Sequence, residues 1–242
     1  MKAYVHSYES LAGVDGDGLR YAVFLSGCPL RCIFCHNPDT WKTGAGQEIT
    51  PEDLVKKVTR YTPYFKNGGG VTFSVGEPLL QSEFISDCAP LLKAAGISYV
   101  IDTSGGVLLT DSVKRALLGA EAVLLDIKFP SDEEYIRYTG VDFSKTKAVL
   151  DFLEKEGKSI VIRTVIIPGI NDTEEKIREY AKLIAPYKSV KKYELLPFHT
   201  MGFFKYEALG AENRLKNTAA MPRKKCDELQ KILNELLKEK QE

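Results

Sequence analysis

"AVLLDIK", residues 122–128, and "SIVIRTVII", residues 159–167, are runs in which apolar side chains hardly alternate with polar ones. A strand with one wet face shows period-two alternation, so nearly continuous runs belong to strands covered on both faces, as in a parallel sheet. Four further β-rich runs share the chain: "YAVFLSG" (21–27), "GVTFS" (70–74), "SYVIDTS" (98–104) and "KYELLPF" (192–198). Between the runs lie helix-like segments near 51–62, 82–95, 111–119, 145–156, 173–185 and 223–240. Thr50-Pro51-Glu52-Asp53 offers an N-cap, a proline at the first helical position and acids in the first turn. Asp172-Thr173-Glu174-Glu175 opens the fifth helical segment in the same way.

Six β-α units in succession predict an α/β fold: a mostly parallel sheet with right-handed crossovers and outer helices. Six units fall short of the eight of a closed barrel, so a partial (β/α)6 TIM-like barrel is expected, with a flat doubly wound sheet as the alternative. No internal repeat or low-complexity linker interrupts residues 1–242, which read as one domain.

At 242 residues and 44% hydrophobic content the chain is long enough for one sizeable core. Lys plus Arg and Asp plus Glu balance at 33 each, so bulk charge points to no nucleic acid and no anionic membrane as partner. No apolar run approaches a membrane span, and "MKAYVHSYES" at the N-terminus lacks the apolar stretch of a signal peptide. Five cysteines, an odd number with three of them clustered, do not look like a disulfide framework. A cytoplasmic protein with reduced thiols is expected.

The three clustered thiols, Cys28, Cys32 and Cys35, lie in "SGCPLRCIFCHN" (26–37) with the spacing C-x3-C-x2-C. Cys32 and Cys35 alone match a redox dithiol, but a third thiol at Cys28 would disturb a clean two-electron exchange. Structural zinc needs four closed ligands, and His36, adjoining Cys35, is poorly placed to share one tetrahedral ion with it. Cys88 and Cys226 are remote singletons and read as buried structural residues. A fully ligated iron–sulfur cluster uses four cysteines, so three suggest a [4Fe-4S] cluster with one iron open to a ligand. In folds of this class reactive groups collect at the carboxyl ends of the strands. The cysteine loop follows the first strand, "SVGEP" (74–78) the second and "DTSGG" (102–106) the third; polar residues of "LDIK", "IRT" and "PFH" end the remaining three.

C-x3-C-x2-C after the first strand of a β-α barrel resembles the radical S-adenosylmethionine superfamily, in which the fourth iron is chelated by the amino and carboxylate groups of S-adenosylmethionine. The resemblance covers nearly the whole chain. "VDGDGLR" (14–20), "GCPLRCIFCHNPDTW" (27–41), "GGGVTFSVGEPLLQ" (68–81), "DTSG" (102–105), "LLDIK" (124–128), "IRTVIIPG" (162–169) and "ELLPFHTMG" (194–202) are similar to the pyruvate formate-lyase activating enzymes. Related activases of other glycyl radical enzymes usually carry an insert with extra cysteine clusters, which this sequence lacks. The resemblance implies reductive cleavage of S-adenosylmethionine to methionine and a 5′-deoxyadenosyl radical. That radical takes a hydrogen atom from a glycine Cα in the glycine loop of pyruvate formate-lyase. Flavodoxin or ferredoxin would supply the electron, and a monomer is expected.

The same resemblance assigns residues. Cys28, Cys32 and Cys35 bind the cluster, Phe34 stacks on adenine, and "SVGEP", with Gly76 and Glu77, offers backbone groups to the ligand ammonium. Asp126, Ile127 and Lys128 contact S-adenosylmethionine, Lys128 at its carboxylate or ribose and Asp126 near the sulfonium; these two carry the catalytic assignment. Cys35, His36, Asp102, Arg163 and His199 complete the cofactor contacts, and Asp15 and His36 receive the partner's glycine loop. Asp102 and Asp126, converging at neighbouring strand ends, form a candidate site for a monovalent cation. Each motif also has a plainer reading: Phe34 as packing, "SVGEP" as a tight turn, Asp126–Lys128 as an ion pair, His199 as a structural histidine and Asp15 as a turn cap. Two positions depart from the family pattern. Val75 stands where glycine is usual, and a β-branched residue adopts positive φ only at a cost. Asp17 stands where proline is usual, leaving that turn less rigid and more negative.

Overall fold

The six apolar runs form six parallel strands in the computed structural model, which describes residues 1–238. In chain order the elements are β1 (Ala3–Ala12), β2 (Arg20–Leu25), β3 (Gln47–Ile49), α1 (Pro51–Thr59), β4 (Gly70–Ser74), α2 (Ser82–Ala94), β5 (Ser98–Thr103) and α3 (Asp111–Gly119). They continue as β6 (Ala122–Asp126), α4 (Asp132–Thr139), α5 (Ser144–Lys155), β7 (Ile160–Ile166), α6 (Glu174–Ile184), β8 (Val190–Pro197), α7 (Phe203–Leu209) and α8 (Arg223–Lys238). The sheet has the order β3-β1-β2-β4-β5-β6-β7-β8. Strands β2, β4, β5, β6, β7 and β8 pair in parallel, each with the next. The first and last of them are not neighbours, so the sheet is open, as expected for six β-α units rather than eight.

Helix starts follow the capping chemistry read from the chain. The Thr50 side chain accepts from the Asp53 amide before α1, and Thr173 accepts from the Lys176 amide before α6. Four elements were not expected. β1 and β3 extend the sheet antiparallel beyond β2. Much of β1 is a polar, partly exposed stretch, His6-Ser7-Tyr8-Glu9-Ser10, and its place in the sheet comes from pairing with β2. Helices α4 and α7 have eight and seven residues, and their buried positions are only Tyr135 and Thr139, and Tyr206; such short stripes carry no readable periodicity. Residues 239 and 240 of the last expected helix lie outside the described residues. Among the described residues no helix is long and apolar enough to cross a membrane.

Strand β7 explains why the apolar runs looked two-sided. Ile160, Ile162, Thr164 and Ile166 are buried on its outer face, while Val161, Arg163 and Val165 point inward and are only half-buried. The inner face is therefore less tightly covered and opens into a cavity toward the carboxyl end, where Arg163 and Val165 form part of the wall.

Beneath that cavity, Arg20 at the start of β2 is fully buried with no ion-pair partner among the described residues. Its guanidinium donates to Thr72 Oγ1 (2.7 Å), Gly68 O (2.6 Å), Val71 O (2.8 Å) and Asp17 O (3.1 Å). Thr72 passes the connection on by donating to Asp15 O at 2.7 Å. This network fastens the 13–19 loop inside the sheet. Replacing Arg20 by Met leaves the buried Val71 carbonyl and Thr72 hydroxyl and the part-buried Asp17 and Gly68 carbonyls without this donor, and lowers the unfolding free energy by about 3 kcal/mol, read as a shift of the urea midpoint.

Candidate active site

A cavity of about 230 Å³ lies at the carboxyl ends of the parallel strands. Cys28, Cys32, Cys35, Phe34 and His36 from the cysteine loop line it, together with Val75 and Gly76 after β4, Asp102 and Ser104 around the end of β5, Asp126 at the end of β6, Lys128 two residues beyond it, and Arg163 of β7.

Backbone hydrogen bonds shape the cysteine loop. Gly27 N donates to Thr40 O (2.7 Å), Arg31 N to Thr139 O (2.7 Å) and Ile33 N to Tyr138 O (2.9 Å), so the end of α4 acts as a scaffold for the thiols. The Arg31 guanidinium donates to Cys28 O at 2.8 Å, and the Tyr206 hydroxyl donates to Cys35 O at 2.8 Å. All three thiols are free. Burial pushes all three above the ordinary thiol range, Cys28 to about 12 with Glu77 adding to the effect. A reactive dithiol needs a depressed pKa, which this environment opposes. A metal centre deprotonates its thiols outright, so buried, unpaired thiols suit that use. Among the described residues no three His, Cys, Asp or Glu side chains converge to hold a single ion. All three thiols line the one cavity, an arrangement that suits a cluster carrying one iron per thiol.

Opposite the thiols, four charged side chains form a row across three adjacent strand ends. Asp102 Oδ1 accepts from Arg163, and Asp102 Oδ2 accepts from Ser74 Oγ at 2.6 Å. Parallel pairing sets Asp126 against Arg163, whose Nε lies 3.6 Å from Asp126 Oδ1. Lys128 Nζ donates to Asp126 Oδ2 at 2.6 Å. Burial alone would raise the Asp126 carboxyl, but Lys128 and Arg163 hold it below the usual carboxylate range. Two carboxylates and two cations at 11–19% side-chain exposure leave the row neutral. Arg163 lies between Asp102 and Asp126, the two carboxylates that the sequence marks as a candidate site for a monovalent cation.

His36 and His199 stack with ring centroids 3.6 Å apart, and His36 Nε2 donates to His199 O at 2.8 Å. Burial, reinforced by His199, pushes His36 down to about 4 and keeps it neutral. Gly202 makes the approach possible, since a Cβ there would meet His36 O at 2.5 Å. His199 Nδ1 is buried without a hydrogen-bond partner, an orphan that a ligand hydroxyl or ring nitrogen would satisfy.

Four expected contacts, His199, Ile127, Glu77 and Asp15, lie outside the cavity lining. Ile127 is fully buried on the opposite face of β6, as strand alternation requires; its N–H donates to Arg163 O and its carbonyl accepts from Thr164. Glu77 is also fully buried, with both carboxylate oxygens occupied by protein donors. Asp15 sits on the fastened 13–19 loop, close enough to Asp102 and Arg163 to feel both charges. The lining residues not expected individually, among them Ser74, Trp41 and Leu196, lie within or beside quoted motifs, but no spacing rule marks them.

Residues 22–181 match the family described as the radical SAM superfamily. The chain belongs to the radical SAM superfamily. It is 45% identical to the pyruvate formate-lyase-activating enzyme of Clostridium pasteurianum, over 96% of this chain and 98% of that one. It is 36% identical to the pyruvate formate-lyase 1-activating enzyme of Escherichia coli (strain K12), over 96% and 95%. The fold is similar to a crystallised domain of a pyruvate-formate lyase-activating enzyme from Bacteroides vulgatus, with TM-score 0.57 and 22% identity over 70% of this chain and 95% of that one. A radical SAM methyltransferase from Sphaerobacter thermophilus has TM-score 0.64 and 17% identity over 90% and 64%.

The electrostatics of Asp15 predict a pH effect. Burial, with Asp102 beside it, pushes its carboxyl from 3.8 up to about 6 in the folded state. The folded state then holds the proton more tightly than the unfolded state, so stability falls as pH rises between those values and stays reduced above them. Asp15→Asn is expected to raise the melting temperature at pH 7.5, with the gain disappearing by pH 4 in a pH series of thermal melts.

Proposed function

We propose that this chain is an activase that installs a glycyl radical on pyruvate formate-lyase. The observation that carries the reading is one cavity joining three buried unpaired thiols to a neutral row of two carboxylates and two cations, in a chain similar along its length to pyruvate formate-lyase-activating enzymes. Cys28, Cys32 and Cys35 would hold a [4Fe-4S] cluster with one iron open to S-adenosylmethionine. Bound together, these groups supply the one-electron cleavage of the sulfonium that leads to hydrogen-atom removal from a glycine Cα.

The chain's own residues position and enclose. Lys128 faces the thiols from the polar row and offers its charge to a ligand carboxylate, while Asp126 holds that ammonium in place. Phe34 lies on the cavity wall with its ring centroid 5.7 Å from Lys128 Nζ, placed to stack on a purine. His199 offers its free Nδ1, and neutral His36 and half-buried Asp15 form the side assigned to the partner's glycine loop. No general base is required, because a hydrogen atom rather than a proton is transferred. On this reading residues 1–242 act as one monomeric domain in the cytoplasm, reduced by flavodoxin or ferredoxin.

Anaerobic reconstitution with iron and sulfide, reduction, and addition of S-adenosylmethionine and pyruvate formate-lyase test the reading. A glycyl radical in the electron paramagnetic resonance spectrum, with 5′-deoxyadenosine formed in step, is the expected result; its absence with an intact partner sinks the proposal. Cys28→Ala is expected to abolish 5′-deoxyadenosine formation, whereas a Cys32–Cys35 dithiol enzyme would keep its activity. Asp126→Ala frees Lys128 from its position and is expected to slow 5′-deoxyadenosine formation by about 100-fold.

A further inference from the structure

The turn after β4 contains the one β-branched residue with positive φ among the described residues: Val75 at φ +59°, followed by Gly76 at φ +60°. Glycine occupies this region freely, but valine is strained there and stays only where its surroundings leave no alternative. The surroundings are specific. A Cβ on Gly76 would meet Leu25 O and Gly27 O, each at 2.6 Å, and Glu77 N donates to Gly27 O at 2.7 Å. These contacts press the turn against the end of β2, where the cysteine loop begins.

Glu77 then locks the far side. Its Oε1 accepts from Leu79 N (3.0 Å) and Thr103 Oγ1 (2.5 Å), and its Oε2 accepts from Ser104 N (2.9 Å) and Ser104 Oγ (2.5 Å). Four donors saturate a carboxylate that is fully shielded from solvent and absent from the cavity lining. Two of these donors belong to Ser104, so the carboxylate bolts the turn after β4 to the turn after β5. Val75, Gly76 and Ser104 all line the cavity, which makes the bolt a direct determinant of its wall.

We propose that Glu77 is a positioning residue: its buried carboxylate holds Val75 in the left-handed conformation and thereby fixes the cavity edge formed by residues 74–76, without touching the ligand itself. Strain and clamp are then two halves of one device. Releasing the clamp lets Val75 fall back to extended backbone, and the ligand-competent edge becomes a minor population. A competent fraction of about one tenth weakens apparent binding about tenfold. With glycine at position 75 the left-handed form remains readily populated, and most of that loss disappears.

A double-mutant cycle of Val75→Gly and Glu77→Gln tests the device in two independent ways. In the apoprotein, Val75→Gly is expected to raise the melting temperature of the wild type by roughly 2–8 °C. In the Glu77→Gln background the gain falls below half of that, because the strain is already released. In the reconstituted enzyme, equilibrium dialysis with S-adenosylmethionine is expected to show binding weakened about tenfold by Glu77→Gln and restored to within about threefold of wild type in the double variant. Equal thermal gains in both backgrounds, or a double variant that binds as weakly as Glu77→Gln, overturn the proposal. Thr103→Val removes one donor of the four and replaces Glu77→Gln if that variant does not fold, with the same pattern at smaller amplitude. The binding arm rests on the cavity taking S-adenosylmethionine. If the wild type binds none, that reading fails, while the thermal arm still decides the clamp.

Discussion

Four largely buried charges in contact at the ends of three neighbouring strands set the terms for the rest of this structure. Asp102, Arg163, Asp126 and Lys128 would each be costly to bury alone, and their mutual attraction offsets the desolvation only in this arrangement. The arrangement depends on sheet register. Sliding β6 by one residue would turn Asp126 and Lys128 toward the outer helices, into an apolar layer that cannot solvate them. The row therefore ties the cavity floor to the strand pairing.

The cysteine loop meets this floor at Lys128. Its ammonium lies in the field of the Cys32 thiol, which it pulls toward ionisation against the larger effect of burial. The floor is neutral and the wall above it carries three thiols that stay protonated unless a metal centre opposes them. The third wall, the Val75–Gly76 turn, is held by geometry rather than charge, through tight backbone contact with β2 and through Glu77. Each wall is anchored to a different parallel strand, so the open sheet serves chiefly to hold them in mutual register.

How much of this was legible varied with the range of the interaction. The parallel strands, their order along the chain and most helices could be read, because burial on both faces and capping are written over a few consecutive residues. β1, β3, α4 and α7 could not be read, since their residues carry little apolar pattern and owe their shape to neighbours distant in the chain. The cysteine spacing and the strand-end acids marked the site at once, and the two-residue spacing of Asp126 and Lys128 also marked their ion pair. Nothing local says that Arg163 spans Asp102 and Asp126, or that Arg20 fastens the loop bearing Asp15 through Thr72.

Glu77 shows the division most clearly. Its motif marked it as part of the site, and the fold buries its carboxylate among four donors, three of them from Thr103 and Ser104. The amino-acid sequence alone determined the α/β class, the superfamily and the thiols and charged residues that make up the site. Only the tertiary structure decided which of those residues face the cavity and which brace it, because that depends on strand register and on hydrogen bonds between segments far apart along the chain.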